Sequence, residues 1–106
     1  MDWTRNGFGY SNDDPGGYGE RMVLNEMLLL PVSNGLSSEH AALTEPMAVG
    51  LHGVNKSGIT PREGAVVLGC GPVGLAAIAA LKLKGVETIL AADLSPARRA
   101  LAVTMG

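Results

Sequence analysis

The chain has 106 residues, 46% of them hydrophobic, with 8 Lys and Arg against 10 Asp and Glu and a formal net charge of −2. That is the composition of a folding domain rather than a disordered chain, and the charge is too small and of the wrong sign for a general nucleic-acid binder. A single Cys and two His exclude an internal disulfide framework and a Cys-rich zinc knuckle built by this chain alone.

The length predicts about one domain. No apolar run reaches the roughly 20 residues of a membrane helix, so no membrane partner is expected. The start, Met1-Asp2-Trp3-Thr4-Arg5, has no signal-peptide core, and the expected location is cytoplasmic. All four aromatics (Trp3, Phe8, Tyr10, Tyr18) fall in the first part, so the rest of the core must be aliphatic.

Residues 6–17 read as loop, with Asn6-Gly7, Asp13-Asp14-Pro15 and Gly16-Gly17 as turn chemistry. Residues 18–24 alternate, with Tyr18, Glu20, Met22 and Leu24 on one face and Arg21 on the other, which predicts a strand. Leu28-Leu29-Leu30, stopped by Pro31, predicts a second strand at a sheet edge. A turn at Ser33-Asn34-Gly35 follows.

Ser37 is an N-cap for a short helix through Leu43. Pro46 should break it and take the first position of a second helix running to about Lys56, with Gly58 as its stop. Ala65-Val66-Val67-Leu68 is a β-branched run of the kind found in strands buried on both faces. Gly69-Cys70-Gly71-Pro72-Val73-Gly74 then leads into a helix over 75–84. Pro72 stands where a helix tolerates proline, Lys82 and Lys84 suit the C-terminal dipole, and Gly85 is the stop. This helix is apolar nearly all round, so it calls for cover on two sides. A second buried strand, 88–92, ends in Asp93. Ser95 and Pro96 open a last helix that ends near Met105-Gly106.

Strand, Gly-x-Gly-x-x-Gly turn, helix and second strand make one βαβ unit, with an acidic residue about 20 positions after the last glycine, as in the dinucleotide-binding fingerprint. Gly69 lets the chain turn sharply out of the strand. Gly71 leaves room for a pyrophosphate to approach the backbone, and Gly74 lets the helix pack closely on the sheet. The amides from Val73 onward face the phosphates. Asp93 can accept from the ribose hydroxyls, and its charge favours NAD over NADP by repelling a 2′-phosphate. The alternative is a glycine turn that serves helix packing and holds no ligand. Arg98 and Arg99 lie one helical turn beyond Asp93. Arg99 reads as a solvated helix face, and Arg98 stays open between that and a guanidinium leaning over the ribose or adenine.

Gly16-Gly17-Tyr18-Gly19-Glu20, the block from Leu36 through Glu45-Pro46 to Val49, Val67 to Gly74, and Asp93-Leu94-Ser95-Pro96-Ala97-Arg98 resemble the zinc-dependent medium-chain dehydrogenases. The nearest branch is that of the alcohol, sorbitol and threonine dehydrogenases. The resemblance runs from about Gly16 to Gly106. It implies an α/β chain in which a partial Rossmann fold (β-α-β-α) is preceded by a fragment of a GroES-like β domain. Residues 1–36 would be the remnant of that catalytic domain, 37–58 linking helices, and 59–106 the first half of the NAD-binding domain. The implied function is that of a portion of an NAD-dependent, zinc-type alcohol or polyol dehydrogenase with a small-molecule alcohol substrate. Gly69, Gly71, Val73, Gly74, Asp93 and Arg98 match NAD positions.

Glu45 matches a carboxylate zinc ligand, or is simply a carboxylate capping the helix at Pro46. Val49 matches a position beside the nicotinamide, or is core packing. His40 reads as a surface residue, His52 as packed or partly exposed, and Cys70 as a packing residue rather than a nucleophile. No catalytic residue is assigned. The family's upstream Cys zinc ligand and its Gly-His-Glu segment do not occur in this sequence.

Two strands and two helices leave apolar surface uncovered, with Leu75, Ile78 and Leu81 as the expected positions. At roughly 1.5–3 kcal/mol for each such side chain, a marginal chain, a homo-oligomer or dependence on additional polypeptide is expected. A catalytically inactive truncated nucleotide-binding or interaction module is the alternative. A flavin- or SAM-binding half-domain is a third reading, and the Glu45-Pro46 block argues against it.

Overall fold

The computed structural model describes residues 20–22, 24–32 and 35–106. The chain divides into two units, Met1–Asn34 and Gly35–Gly106. The expected loop at 6–17, the four aromatics, Val23 and the Ser33-Asn34 part of the turn lie outside the described residues.

In the first unit neither expected strand is present among the described residues. Glu26–Leu28 is a 3-10 turn instead, capped by the Asn25 side chain, which accepts from the Met27 amide at 3.0 Å, and closed by the Leu29 amide on the Glu26 carbonyl at 3.1 Å. The alternating pattern at 20–24 and the leucine run describe faces that need a sheet. No strand pairs with these segments here, so local side-chain bonding decides the backbone.

In the second unit Ser37 caps α1 (Ser38–Ala41), its hydroxyl accepting from the His40 amide at 3.3 Å. The helix stops two residues before the expected Leu43. α2 (Thr44–Ser57) starts earlier than expected, with Pro46 third rather than first. All of the first-turn amides lack an intrahelical partner, so a missing one at that position costs nothing. Gly58 ends α2 at φ +69.

β1 (Ala65–Leu68) and β2 (Ile89–Ala92) pair in parallel, Ala65 opposite Ile89 and Leu68 opposite Ala92. The crossover is α3 (Pro72–Leu83), which has Pro72 in its first turn. Gly85, at φ +82, donates to the Lys82 carbonyl at 2.9 Å, and Val86 donates to Leu81 at 3.0 Å. This paired closure satisfies the last carbonyls and drives Val86 into the core beside Leu81. α4 (Pro96–Met105) is capped by the Ser95 hydroxyl, which accepts from the Arg98 amide at 3.4 Å.

Two adjoining apolar clusters form the core. Val54, Ala80, Leu81 and Val86 join α2 to α3, and Cys70, Ile78 and Ala102 join the glycine turn to α3 and α4. The contact of α2 with α3 is close. A β-carbon at Gly50 would stand 2.7 Å from the Ala76 backbone and methyl. Lys84 reaches across to the Val54 carbonyl at 3.5 Å.

The expected cover is corrected in two places. Ile78 and Leu81 are buried, and Leu75 is partly so, because α2 and α4 flank α3. The strands are not buried on both faces. Residues 65, 67, 89 and 91 turn toward the helices, while Val66, Leu68 and Leu90 stand 64%, 83% and 64% exposed on the opposite face. Among the described residues, no helix is long and apolar enough to cross a membrane.

Candidate functional site

The three glycines of the turn have three different surroundings. Gly69 leaves β1 at φ +94, a left-handed conformation that side chains disfavour, and its amide extends the ladder to the Ala92 carbonyl at 2.7 Å. At Gly71 a β-carbon would meet nothing within 4 Å, so open space lies over the backbone there. At Gly74 a β-carbon would collide with the Gly69 carbonyl. That collision explains why the helix start can fold back onto the strand end only with glycine. Val73 and Gly74 sit in the first turn of α3, where a helix offers their amides no carbonyl, and the dipole there favours an anion.

Asp93 follows β2 and points back at this turn. One carboxylate oxygen, Oδ2, accepts from the Cys70 amide at 2.8 Å, and the other, Oδ1, accepts from the Ser95 amide at 2.8 Å. These two amides, Ser95 first and then Cys70, hold the carboxyl below its ordinary value of 3.8. The charges of Arg98 and Arg99 add to the effect, and partial desolvation opposes it. The Arg98 guanidinium stands 3.9 Å from Oδ2 with its side chain 60% exposed, against 10% for Asp93. An exposed pair at that distance contributes little to stability. Gly69, Ala92, Asp93, Leu94, Ser95 and Arg98 line one groove of about 610 Å³. The structure thus brings Asp93 and Arg98 together beside the turn.

Arg99 is exposed on α4, as its reading as a solvated face expects, and it makes two contacts that this reading does not include. Its guanidinium donates to the main-chain carbonyl of Asp93 at 2.6 Å and to that of Leu94 at 3.1 Å. Nothing in helical periodicity signals this contact, because the acceptors are backbone atoms in the preceding turn. The bond from the Cys70 amide to Asp93 was equally hidden, since it joins residues 23 apart. The one available hint was that Asp93 ends a strand next in register to the one that feeds the turn.

Val49 and Val73 share a second, larger groove of about 730 Å³ with Gly50, Gly53 and the edge of β1. Glu45 lies one turn before Val49 in α2 and is exposed. It is not the N-cap of that helix, a position held by Leu43 with no side-chain bond. Among the described residues no three His, Cys, Asp or Glu side chains converge to hold a metal ion. The described residues therefore do not fit a zinc centre, which needs three protein ligands. His40 is exposed, with Nδ1 3.3 Å from the Ser37 hydroxyl, and His52 is exposed on α2. Cys70 is 1% exposed and packs with Ile78 and Ala102, as expected of a packing residue.

No family model matches the chain. It is 43% identical over 91 residues to the (R,R)-butanediol dehydrogenase of Bacillus subtilis, covering 86% of this chain and 26% of that protein. It is 37% identical over 100 residues to the erythritol/L-threitol dehydrogenase of Mycolicibacterium smegmatis, covering 93% and 28%. The sorbitol dehydrogenase of Bacillus subtilis is 36% identical over 91 residues, covering 86% and 26%. The crystal structure of 2R,3R-butanediol dehydrogenase from Bacillus subtilis superimposes with a TM-score of 0.79 at 42% identity, over 88% of this chain and 27% of that one.

Over most of its length the chain is therefore similar, in sequence and in its strand–glycine turn–helix–strand core, to a portion of these alcohol and polyol dehydrogenases. It spans about a quarter of the length of the curated relatives it matches.

Proposed function

We propose that this chain supplies the adenosine-diphosphate part of an NAD site in a dehydrogenase that moves hydride between NAD and an alcohol or polyol carbon. The observation that carries the reading is the Asp93 carboxylate seated against the glycine turn, where it lines one groove with Gly69 and accepts from the Cys70 amide next to the open backbone at Gly71. In this reading the amides of Val73 and Gly74 hold the diphosphate, and Gly69 and Gly74 set the turn. Asp93 accepts from the ribose hydroxyls through lone pairs that its two backbone donors leave free. Arg98 borders the same groove and partners the ribose side. Bound NAD supplies the nicotinamide carbon that takes or gives the hydride. The groove that holds Val49 and Val73 receives that end of the cofactor. Both valines offer it apolar surface, standing 44% and 48% exposed. The names of the relatives support an alcohol or polyol as substrate.

The test is titration of the chain with NADH and NADPH, followed by nucleotide fluorescence. The expected result is tighter binding of NADH. Asp93→Ala should weaken NADH by about tenfold or more and narrow its preference over NADPH, since hydrogen bonds to a charged group are worth about 1.5–3 kcal/mol. Equal affinities before and after the substitution would remove Asp93 from the site.

A further inference from the structure

We infer that Asp93 is also a positioning residue for the glycine turn, fixing the phosphate-facing amides before any nucleotide arrives. The inference rests on the nucleotide reading above and adds a second task for the same carboxylate. The turn it acts on is made of residues that cannot hold themselves. Gly69, Gly71 and Gly74 carry no side chain, and Gly69 occupies a conformation that only a permissive residue adopts freely. Cys70 is 1% exposed, so its amide is hidden from solvent and needs an acceptor. That acceptor is Oδ2 of Asp93.

The other end of the carboxylate is tied as well. Oδ1 takes the Ser95 amide, which anchors the group to the start of α4. Arg99 then holds the carbonyls of Asp93 and Leu94, immobilising the backbone from which the carboxylate projects. The result is a brace that runs from α4 through Asp93 to the glycine turn. Two N–H donors meet it, one at each oxygen. A carboxylate satisfies both, whereas an amide side chain offers one oxygen and turns its NH₂ against the other donor.

The two tasks separate by choice of ligand. ADP presents ribose hydroxyls, and 2′,3′-dideoxyadenosine diphosphate presents the same diphosphate without them. If Asp93 only grips the sugar, Asp93→Asn weakens ADP and leaves the dideoxy compound unchanged. The brace predicts that Asp93→Asn weakens both, the dideoxy compound by about tenfold. It also predicts that, without nucleotide, the Cys70 amide exchanges its proton about tenfold faster while the Leu81 amide keeps its rate.

Unchanged affinity for the dideoxy compound, unchanged exchange at Cys70, or equal acceleration at Leu81 overturns the inference. If the unsubstituted chain binds neither nucleotide, the cofactor reading fails, and the exchange rates at Cys70 and Leu81 decide the brace by themselves.

Discussion

The carbonyl of Gly69 occupies the space that a β-carbon at Gly74 would need. The strand end and the helix start therefore meet backbone to backbone, and the glycine fingerprint contains positions of opposite tolerance. Gly74→Ala should destabilise the chain by about 1–3 kcal/mol or more, the cost of overpacking a close contact. Gly71→Ala, with open space around it and a φ of −78°, should change stability by less than about 1 kcal/mol. On the proposed NAD reading it should nevertheless weaken NADH by about tenfold or more, because that reading brings the diphosphate to the space the new methyl would fill. Urea melts of the two variants, paired with NADH titrations, check the contrast.

The α2–α3 contact predicts a second steric cost. At Gly50 a β-carbon would lie 2.7 Å from the backbone of Ala76, on a rigid helix that cannot yield by a rotamer change. Gly50→Ala should lower the urea midpoint by the equivalent of about 1–3 kcal/mol. Gly53→Ala, three residues along the same helix with nothing within 4 Å, should be neutral or stabilising by up to about 1 kcal/mol.

The Asp93 carboxyl is held below its ordinary value of 3.8 in the folded chain. A depressed acid binds its proton more weakly when folded, so its contribution to stability is present above the unfolded value. It is lost as pH falls through 3.8 toward the lower folded value. Glu39 and Glu63, also lowered by hydrogen bonds, act in the same direction from 4.5. Urea midpoints should be level near neutral pH and fall below about pH 4. The difference between the original chain and Asp93→Asn should shrink over that acid range. A difference constant down to pH 2 would remove the charged form of Asp93 from the fold's accounts.

Val66, Leu68 and Leu90 form an apolar face on the two-stranded sheet. Exposed apolar area of this kind drives association. The 106-residue chain should show a melting temperature that rises with protein concentration and a sedimentation coefficient that does the same. A sharp, concentration-independent monomer melt is the contrary result.

The second unit was legible in the sequence wherever a local rule decided the matter. Ser37 and Ser95 cap as their hydroxyls dictate, Gly58 and Gly85 stop helices by positive φ, and Gly69 and Gly74 give the sharp turn and the close helix–strand approach expected of them. Legibility failed where a partner decided. The segments around Met22 and Leu29 carry strand-like patterns, but no strand pairs with them among the described residues. Val66 and Leu90 sit in strands whose composition predicts two covered faces, yet only one is covered. Helix α2 starts at Thr44 rather than at Pro46 because proline is tolerated throughout a first turn, not only at its opening residue. The Asp93–Cys70 bond depends on tertiary register and the grip of Arg99 on two carbonyls on the turn before α4, and periodicity encodes neither.

The burial of Cys70 has a practical corollary. It is the sole thiol of the chain, and it is sealed behind Ile78 and Ala102 at the centre of the glycine turn. An alkylating reagent can reach the sulfur only when that turn opens. The rate of labelling is thus an intrinsic clock for the loop, requiring no engineered probe, and a bound dinucleotide should slow it.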